Sequence, residues 1–112
     1  GRNYGWGSSY ACGTAGVGPN PKRPLKRWSN VIAVTDPWFY KGRMGRLSGD
    51  IYAGGFSDGK LHRLMLNRKG TRVKKDRAIL GGAGPIVDVS KGPKGWLYYM
   101  TPSGIFRIVP RR

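Results

Sequence analysis

Short apolar runs follow one another from Trp28 to the end of the chain, and turn-forming residues separate them at intervals of roughly 8–12 residues. This spacing is typical of an all-β domain built from antiparallel strands. No run has the apolar period of a helix of ordinary length. The pattern predicts seven strands, at residues 31–40, 49–53, 60–66, 71–80, 86–90, 96–100 and 105–109.

The predicted strands fall into two groups. Short turns link the first four, and one turn contains Asp58-Gly59, a pair that tolerates the positive φ of a tight primed hairpin turn. Three strands follow a glycine pair, and Pro85 heads the first of them, where a missing N–H breaks no ladder. Four strands followed by three predict a four-stranded β-propeller blade at residues 28–80 and an incomplete three-stranded one at residues 81–112.

Residues 1–27 have a different pattern, because glycines and prolines interrupt any helix or strand period. The aromatic residues Tyr4, Trp6 and Tyr10 indicate an arm that lies on a surface, since disordered linkers are poor in large rings. The predicted fold class is therefore all-β: antiparallel meanders forming about two blades of a β-propeller, preceded by an irregular Gly/Pro-rich arm.

Composition adds the expectation of a partner. The chain has 112 residues with 19 Gly and 8 Pro, which leaves little of it for a large core, and small folds commonly need a disulfide, a metal or a partner. Cys12 is the only cysteine, and one thiol with one histidine makes no recognisable metal site. We therefore expect other protein chains, in a homo- or hetero-oligomer, to supply a missing strand or blades.

The charge of the chain also predicts a partner. The formal net charge is +16, from 21 Lys and Arg against 5 acids, and such an excess favours an acidic protein, nucleic acid or acidic lipid headgroups. Two basic segments adjoin aromatic residues, as in proteins that bind single-stranded RNA. The candidate contacts with an anionic partner are Lys22, Arg23, Lys26, Arg27, Lys41, Arg43, Arg46, Arg68, Lys69, Arg72, Lys74, Lys75, Arg111 and Arg112.

The remaining candidate sites favour structural interpretations. His62 lies within a predicted strand with no partner acid in view, so we predict no catalytic residue. The stretch from Gly81 to Gly84 lacks the Lys-Ser/Thr and the helix of a phosphate-binding loop, and is interpreted as a connection between blades. No apolar run approaches the roughly 18 residues of a membrane span. The acids are scattered one per segment, at Asp36, Asp50, Asp58, Asp76 and Asp88.

Several motifs resemble one known family. They are Asn3-Tyr4-Gly5-Trp6, Gly49-Asp50-Ile51-Tyr52-Ala53-Gly54, Leu61-His62-Arg63-Leu64, Val87-Asp88-Val89, Gly92-Pro93-Lys94-Gly95, Leu97-Tyr98-Tyr99 and Ile105-Phe106-Arg107-Ile108. Together they are similar to the C-terminal part of the glucose/sorbosone dehydrogenase-like six-bladed propellers, whose soluble members are quinoprotein sugar dehydrogenases. The resemblance implies an extracellular or periplasmic location.

The resemblance also implies a cofactor in catalytic relatives, pyrroloquinoline quinone (PQQ) with calcium, whose carboxylates contact cationic side chains of this region. Where that pattern reads roughly Arg-x-Arg-Asp-Val, this chain has Pro85-Ile86-Val87-Asp88-Val89, and the loop expected to carry a lysine reads Phe56-Ser57-Asp58. These replacements remove the charge-assisted bonds that would hold a dianionic cofactor. We expect no cofactor or metal ligands in this chain, with quinone and calcium bound only if missing blades complete the site.

Three functions stay open at this point. The leading hypothesis is a non-catalytic structural or binding module that docks onto partner chains in a larger assembly. The second is a fragment of a PQQ-dependent glucose/sorbosone dehydrogenase whose other blades belong to another chain. The third, based on charge and adjacent rings, is a basic RNA-associated protein of a ribonucleoprotein.

Overall fold

The computed structural model describes residues 22–109. In this part of the chain seven strands are joined by loops and two single-turn 3₁₀ segments, Gly45–Leu47 and Pro93–Gly95. None of its helices is long and apolar enough to cross a membrane. The strands are β1 (Trp38–Tyr40), β2 (Asp50–Gly54), β3 (Leu61–Leu66), β4 (Val73–Leu80), β5 (Asp88–Lys91), β6 (Leu97–Thr101) and β7 (Gly104–Arg107).

The strands form two antiparallel sheets, one with the order β1-β2-β3-β4 and the other with the order β5-β6-β7. Strands that are neighbours in the sequence are neighbours in each sheet, which is the meander expected of propeller blades. In the larger sheet Tyr52 is opposite both Trp38 and Arg63. The all-β class and the arrangement of four strands followed by three are confirmed. The predicted arm lies almost entirely outside the described residues.

The core lies between the two sheets. Because successive side chains of a strand point to opposite faces, the register places Tyr40, Tyr52 and Leu61 on one face of the larger sheet. They pack with Val89 and Leu97 of the smaller sheet, and all five side chains are fully buried. The rings of Tyr40 and Tyr52 meet edge to face, with centroids 5.9 Å apart. This packing holds the two sheets together.

The first predicted strand, residues 31–40, is shorter than expected, because only β1 at its end is a strand. We call residues 28–37 the strap. It crosses one end of the larger sheet, where the N–H of Thr35 donates to the carbonyl oxygen of Gly54 at 2.9 Å. Ala33 has a left-handed φ of 49°, which interrupts an extended backbone. The other six strands begin and end within about two residues of their predicted positions.

The hairpin between β2 and β3 is confirmed, but its loop is longer than the tight primed turn that Asp58-Gly59 would allow. The N–H of Gly55 donates to the carbonyl oxygen of Lys60 at 2.9 Å, which closes a four-residue loop. Of the predicted turn pair only Gly59 has a positive φ, at 63°. The carboxylate of Asp58 turns inward and accepts a hydrogen bond from the N–H of Lys60 at 3.2 Å. This loop geometry places the carboxylate of Asp58 next to β3.

Candidate functional site

His62 is a buried histidine held between two aspartates. It lies on β3, on the face opposite to the core, and is 7% exposed. Its Nδ1 is 2.9 Å from Oδ1 of Asp76, and its Nε2 is 2.9 Å from Oδ2 of Asp58. Carboxylate oxygens only accept, so both contacts are hydrogen bonds when both ring nitrogens carry a proton. The imidazole ring thus lies between two carboxylates.

Asp76 joins this pair to the strap. Its Oδ2 accepts a hydrogen bond from Nε1 of Trp28 at 2.8 Å and lies 3.3 Å from Nζ of Lys26. Burial raises the pKa of Asp76, but hydrogen bonds from His62, Lys26 and Trp28 outweigh it, so the pKa lies below its ordinary value of 3.8. We call Lys26, Trp28, Asp58, His62 and Asp76 the histidine network.

Trp28 closes the network from the strap side. Its indole meets the ring of His62 at 72°, with centroids 5.6 Å apart. The ammonium of Lys26 lies 5.3 Å from the centre of the same indole, within the range of a cation–π contact. Most hydrogen-bond donors and acceptors of the histidine network are therefore paired. The network connects the segment before β1 to β3 and β4.

A cleft of about 320 Å³ adjoins the network. Trp28, Asn30, Ser57, Lys60 and His62 are among the residues that line it, and they offer hydrogen-bond donors and acceptors to a polar ligand. Both ring nitrogens of His62 already lie 2.9 Å from carboxylate oxygens, so neither is free to bond a ligand in the cleft. Residues 22–109 contain no group of three His, Cys, Asp or Glu side chains that could hold a metal ion.

The histidine network was not predicted from the sequence. The expectation that His62 has no partner acid is wrong, because Asp58 and Asp76 both contact its ring. One local signal was present, because Asp58 precedes His62 by four residues across the hairpin loop. The second acid had none, since only the pairing of Leu64 with Asp76 places it on the same face as His62.

The cations predicted to contact an anionic partner lie at several places in the fold, and Arg111 and Arg112 fall outside the described residues. Lys26 is paired with Asp76. The remaining ones are Lys22, Arg23 and Arg27 before the strap, Lys41, Arg43 and Arg46 between β1 and β2, Arg68, Lys69 and Arg72 between β3 and β4, and Lys74 and Lys75 on β4, all of them exposed.

The aromatic residues next to these cations have different environments. Trp28 belongs to the histidine network, and Tyr40 is fully buried in the core. Trp38 and Phe39 of β1 are 37% and 54% exposed. Trp96 lies beneath Arg43, whose guanidinium carbon is 4.9 Å from the ring centre. Two of the four rings singled out in the sequence therefore have structural roles inside the fold.

Residues 85–87, where the resemblance would place guanidinium groups, are integrated into the packing. The side chain of Ile86 is fully buried in the core, and its carbonyl oxygen accepts a hydrogen bond from Oγ1 of Thr35 at 2.8 Å. The N–H of Val87 donates to the carbonyl oxygen of Met100 at 2.9 Å. With Pro85 alongside, this stretch presents no charged donor to an anionic cofactor.

Apolar side chains are exposed on the two faces directed away from the core. On the smaller sheet Tyr98, Met100 and Ile105 line a shallow depression of about 290 Å³, and Ile105 is 71% exposed. On the larger sheet Phe39 occupies the outward face of β1. Within residues 22–109, β7 pairs with β6 alone, so no other described strand hydrogen-bonds to its second edge.

Comparison with known protein families agrees with the resemblance seen in the motifs, over nearly the whole chain. The family model for glucose/sorbosone dehydrogenase matches residues 1–108. No curated protein and no solved structure matches the chain significantly. A match of this extent, together with two successive antiparallel meanders, shows that the chain belongs to the glucose/sorbosone dehydrogenase family.

Proposed function

We propose that the chain is a non-catalytic structural and binding module, a blade pair of a glucose/sorbosone dehydrogenase-type propeller that docks onto further blades carried by partner chains. The observation that carries the proposal is the outward face of the smaller sheet. Ile105 is 71% exposed there and is paired with Met100 across β6 and β7. Covering such a surface is favourable by about 25 cal/mol for each Å² of apolar area removed from water.

The edge of β7 supports the same mode of association. Its second edge is unpaired by any strand of residues 22–109, while Ile105 and Phe106 on it are 71% and 41% exposed. A strand edge of this kind accepts a further strand through main-chain hydrogen bonds, and the adjacent apolar side chains add specificity. A partner that supplies a fourth strand would complete the smaller sheet.

Two features of the described residues support a non-catalytic role. Pro85, Ile86 and Val87 offer no cation where a dianionic quinone would need one. Both ring nitrogens of His62 are held by carboxylates at 2.9 Å, so the ring is a poor candidate for a general base.

Analytical ultracentrifugation of the intact chain, at increasing concentration, tests the docking proposal. We expect association above the 12.3 kDa monomer, and we expect Ile105→Asp to weaken it at least about tenfold because a charge then lies in the interface. Val31→Asp is the matched control, since Val31 is 89% exposed on the strap. A folded monomer at all concentrations would contradict the proposal.

Family membership favours one alternative, a part of a PQQ-dependent dehydrogenase completed by other blades. Its test is dye reduction by the natural assembly supplied with quinone, calcium and an aldose. Activity that is lost when this chain is removed and restored when it is returned would support the alternative. An assembly without dye reduction and without quinone absorbance would support the non-catalytic module.

A further inference from the structure

Three connections rich in exposed lysine and arginine lie at one end of the molecule. In an antiparallel meander successive connections alternate between ends, so the β1–β2 and β3–β4 connections share an end of the larger sheet. The N–H of Leu66, at the end of β3, donates to Oδ1 of Asp50, at the start of β2, at 2.9 Å. The hydroxyl of Tyr40 donates to the carbonyl oxygen of Gly95 at 2.6 Å, which brings the β5–β6 connection to the same end.

We call this the basic end, and it is strongly one-sided in charge. Among residues 22–109 its only acid is Asp50, which is 7% exposed and paired with Arg63. The other described acids lie in mid-strand or toward the opposite end. None of the exposed cations of the basic end forms an ion pair within residues 22–109. These cations are Lys41, Arg43, Arg46, Arg68, Lys69, Arg72, Lys91, Lys94 and Arg107.

The composition of the basic end distinguishes between classes of anionic partner. None of the large apolar side chains that are exposed within residues 22–109 lies in its three connections. Insertion into a membrane interface needs apolar side chains, and the buried centre of a protein–protein interface is depleted in charge and enriched in aromatic residues. Single-stranded nucleic acid is bound through exposed rings that stack on bases. Arginine and lysine without exposed rings match the evenly charged backbone of a duplex.

Local contacts order two of the connections that carry these cations. The guanidinium of Arg43 lies over the indole of Trp96, and a contact with the face of a ring does not use the N–H donors of arginine. In the β3–β4 connection, Oδ1 of Asn67 accepts hydrogen bonds from the N–H groups of Thr71 at 2.8 Å and Arg72 at 3.1 Å. The turn is therefore stabilised by Asn67 and not by its charged side chains.

We propose that the basic end binds the phosphate backbone of duplex nucleic acid independently of base sequence. Each contact with a phosphate releases counterions, so the logarithm of affinity falls by about 0.9 per phosphate for every decade of salt. Backbone contacts position a protein on a duplex without reading its sequence.

The test uses the intact chain and a fluorescein-labelled 20-base-pair duplex of random sequence, titrated by anisotropy between 50 and 300 mM KCl. We expect the triple variant Arg68→Gln/Lys69→Gln/Arg72→Gln to bind on the order of 100-fold more weakly at 100 mM salt and to have a salt slope shallower by roughly 2–3. The control, Lys22→Gln/Arg23→Gln/Arg27→Gln, has the same net charge and is expected to change the slope by less than about 1.

Four outcomes would overturn the proposal. They are no binding of the duplex at 50 mM KCl, equal losses in the two triple variants, equal or tighter binding to poly-glutamate, and equal or tighter binding to vesicles containing phosphatidylglycerol. Far-UV circular dichroism of both variants shows whether they are folded. If the Arg68 triple variant is unfolded, the pair Lys91→Gln/Lys94→Gln takes its place, with an expected decrease in slope of about 1–2.

Discussion

The indole Nε1 of Trp28 donates a hydrogen bond of 2.8 Å to Oδ2 of Asp76, a residue 48 positions later in the chain. This bond connects the strap to β4, and through Asp76 it reaches His62 on β3. A long-range bond of this kind restricts the position of the segment that precedes β1. The histidine network therefore holds the strap against β3 and β4, and its contribution to the free energy of unfolding can be measured.

Asp76→Asn is expected to destabilise the fold. The amide keeps one accepting oxygen but loses the charge that attracts His62 and Lys26, and hydrogen bonds to charged groups contribute about 1.5–3 kcal/mol each. We expect the free energy of unfolding in urea to fall by about 1–3 kcal/mol. Asp36→Asn is the control, because Asp36 is exposed. Equal effects of the two changes would show that the network contributes nothing.

Acid should weaken the wild-type chain more than Asp76→Asn. The pKa of Asp76 in the folded chain lies below 3.8, because hydrogen bonds from His62, Lys26 and Trp28 outweigh the effect of burial. The stability that Asp76 contributes is therefore fully present well above pH 3.8 and is lost as the pH falls through the folded pKa. Urea midpoints measured from pH 6 down to pH 2 should converge for the two proteins, and parallel curves would contradict this.

Alkali should weaken the fold through Tyr52. Burial raises the pKa of Tyr52 to about 12 from an ordinary 10.0, and the Arg63 charge opposes this only in part. Its hydroxyl donates to the carbonyl oxygen of Leu47 at 2.6 Å. Because the pKa of Tyr52 is raised in the folded state, its contribution to the free energy of unfolding is complete below pH 10.0. That contribution decreases as the pH rises toward about 12.

The measurement compares urea midpoints of wild type and Tyr52→Phe at pH 9, 10 and 11, with tyrosinate absorbance at 295 nm as a second signal. At pH 9 the variant should be less stable by about 1 kcal/mol, since the carbonyl of Leu47 loses its donor. Its midpoint should then decrease less steeply with pH than that of wild type. Tyr98→Phe, on the outward face of the smaller sheet, is the control and should follow wild type.

Lys94→Gly should stabilise the β5–β6 connection. Lys94 has a φ of 56° and a ψ of 17°, a left-handed conformation that costs a residue with a Cβ about 1–2 kcal/mol. Part of that gain is offset by the entropy of glycine in the unfolded chain, so we expect a net increase of about 0.5–1 kcal/mol. The same change at Lys91, within β5, should instead destabilise by about 0.5–1 kcal/mol. A decrease at both positions would contradict the argument.

Much of the fold was accessible from local patterns. Six of the seven strands were predicted within about two residues, because alternation and turn chemistry are properties of neighbouring residues. The exception is informative. Residues 31–37 have the composition of a strand, yet the left-handed Ala33 and the hydrogen bonds to Gly54 and to the β2–β3 loop make them a strap. That outcome depends on a surface formed by other strands.

The candidate sites were likewise predictable only in part from the sequence. The basic segments were evident from the sequence, but their gathering at one end follows from the alternation of connections and from the Tyr40 to Gly95 bond. His62 was assigned no partner acid because Asp76 is 14 positions away in sequence. Its position beside His62 depends on the register of β3 and β4.

By itself the sequence determined the all-β class, the grouping of the strands, the family motifs and the excess of positive charge, since each of these follows from residue identity and short-range spacing. Only the tertiary structure decided which faces the side chains occupy and which distant groups meet. The physical reason is the two-residue period of a strand: a shift of register by one residue would move His62 to the opposite face and separate it from Asp76.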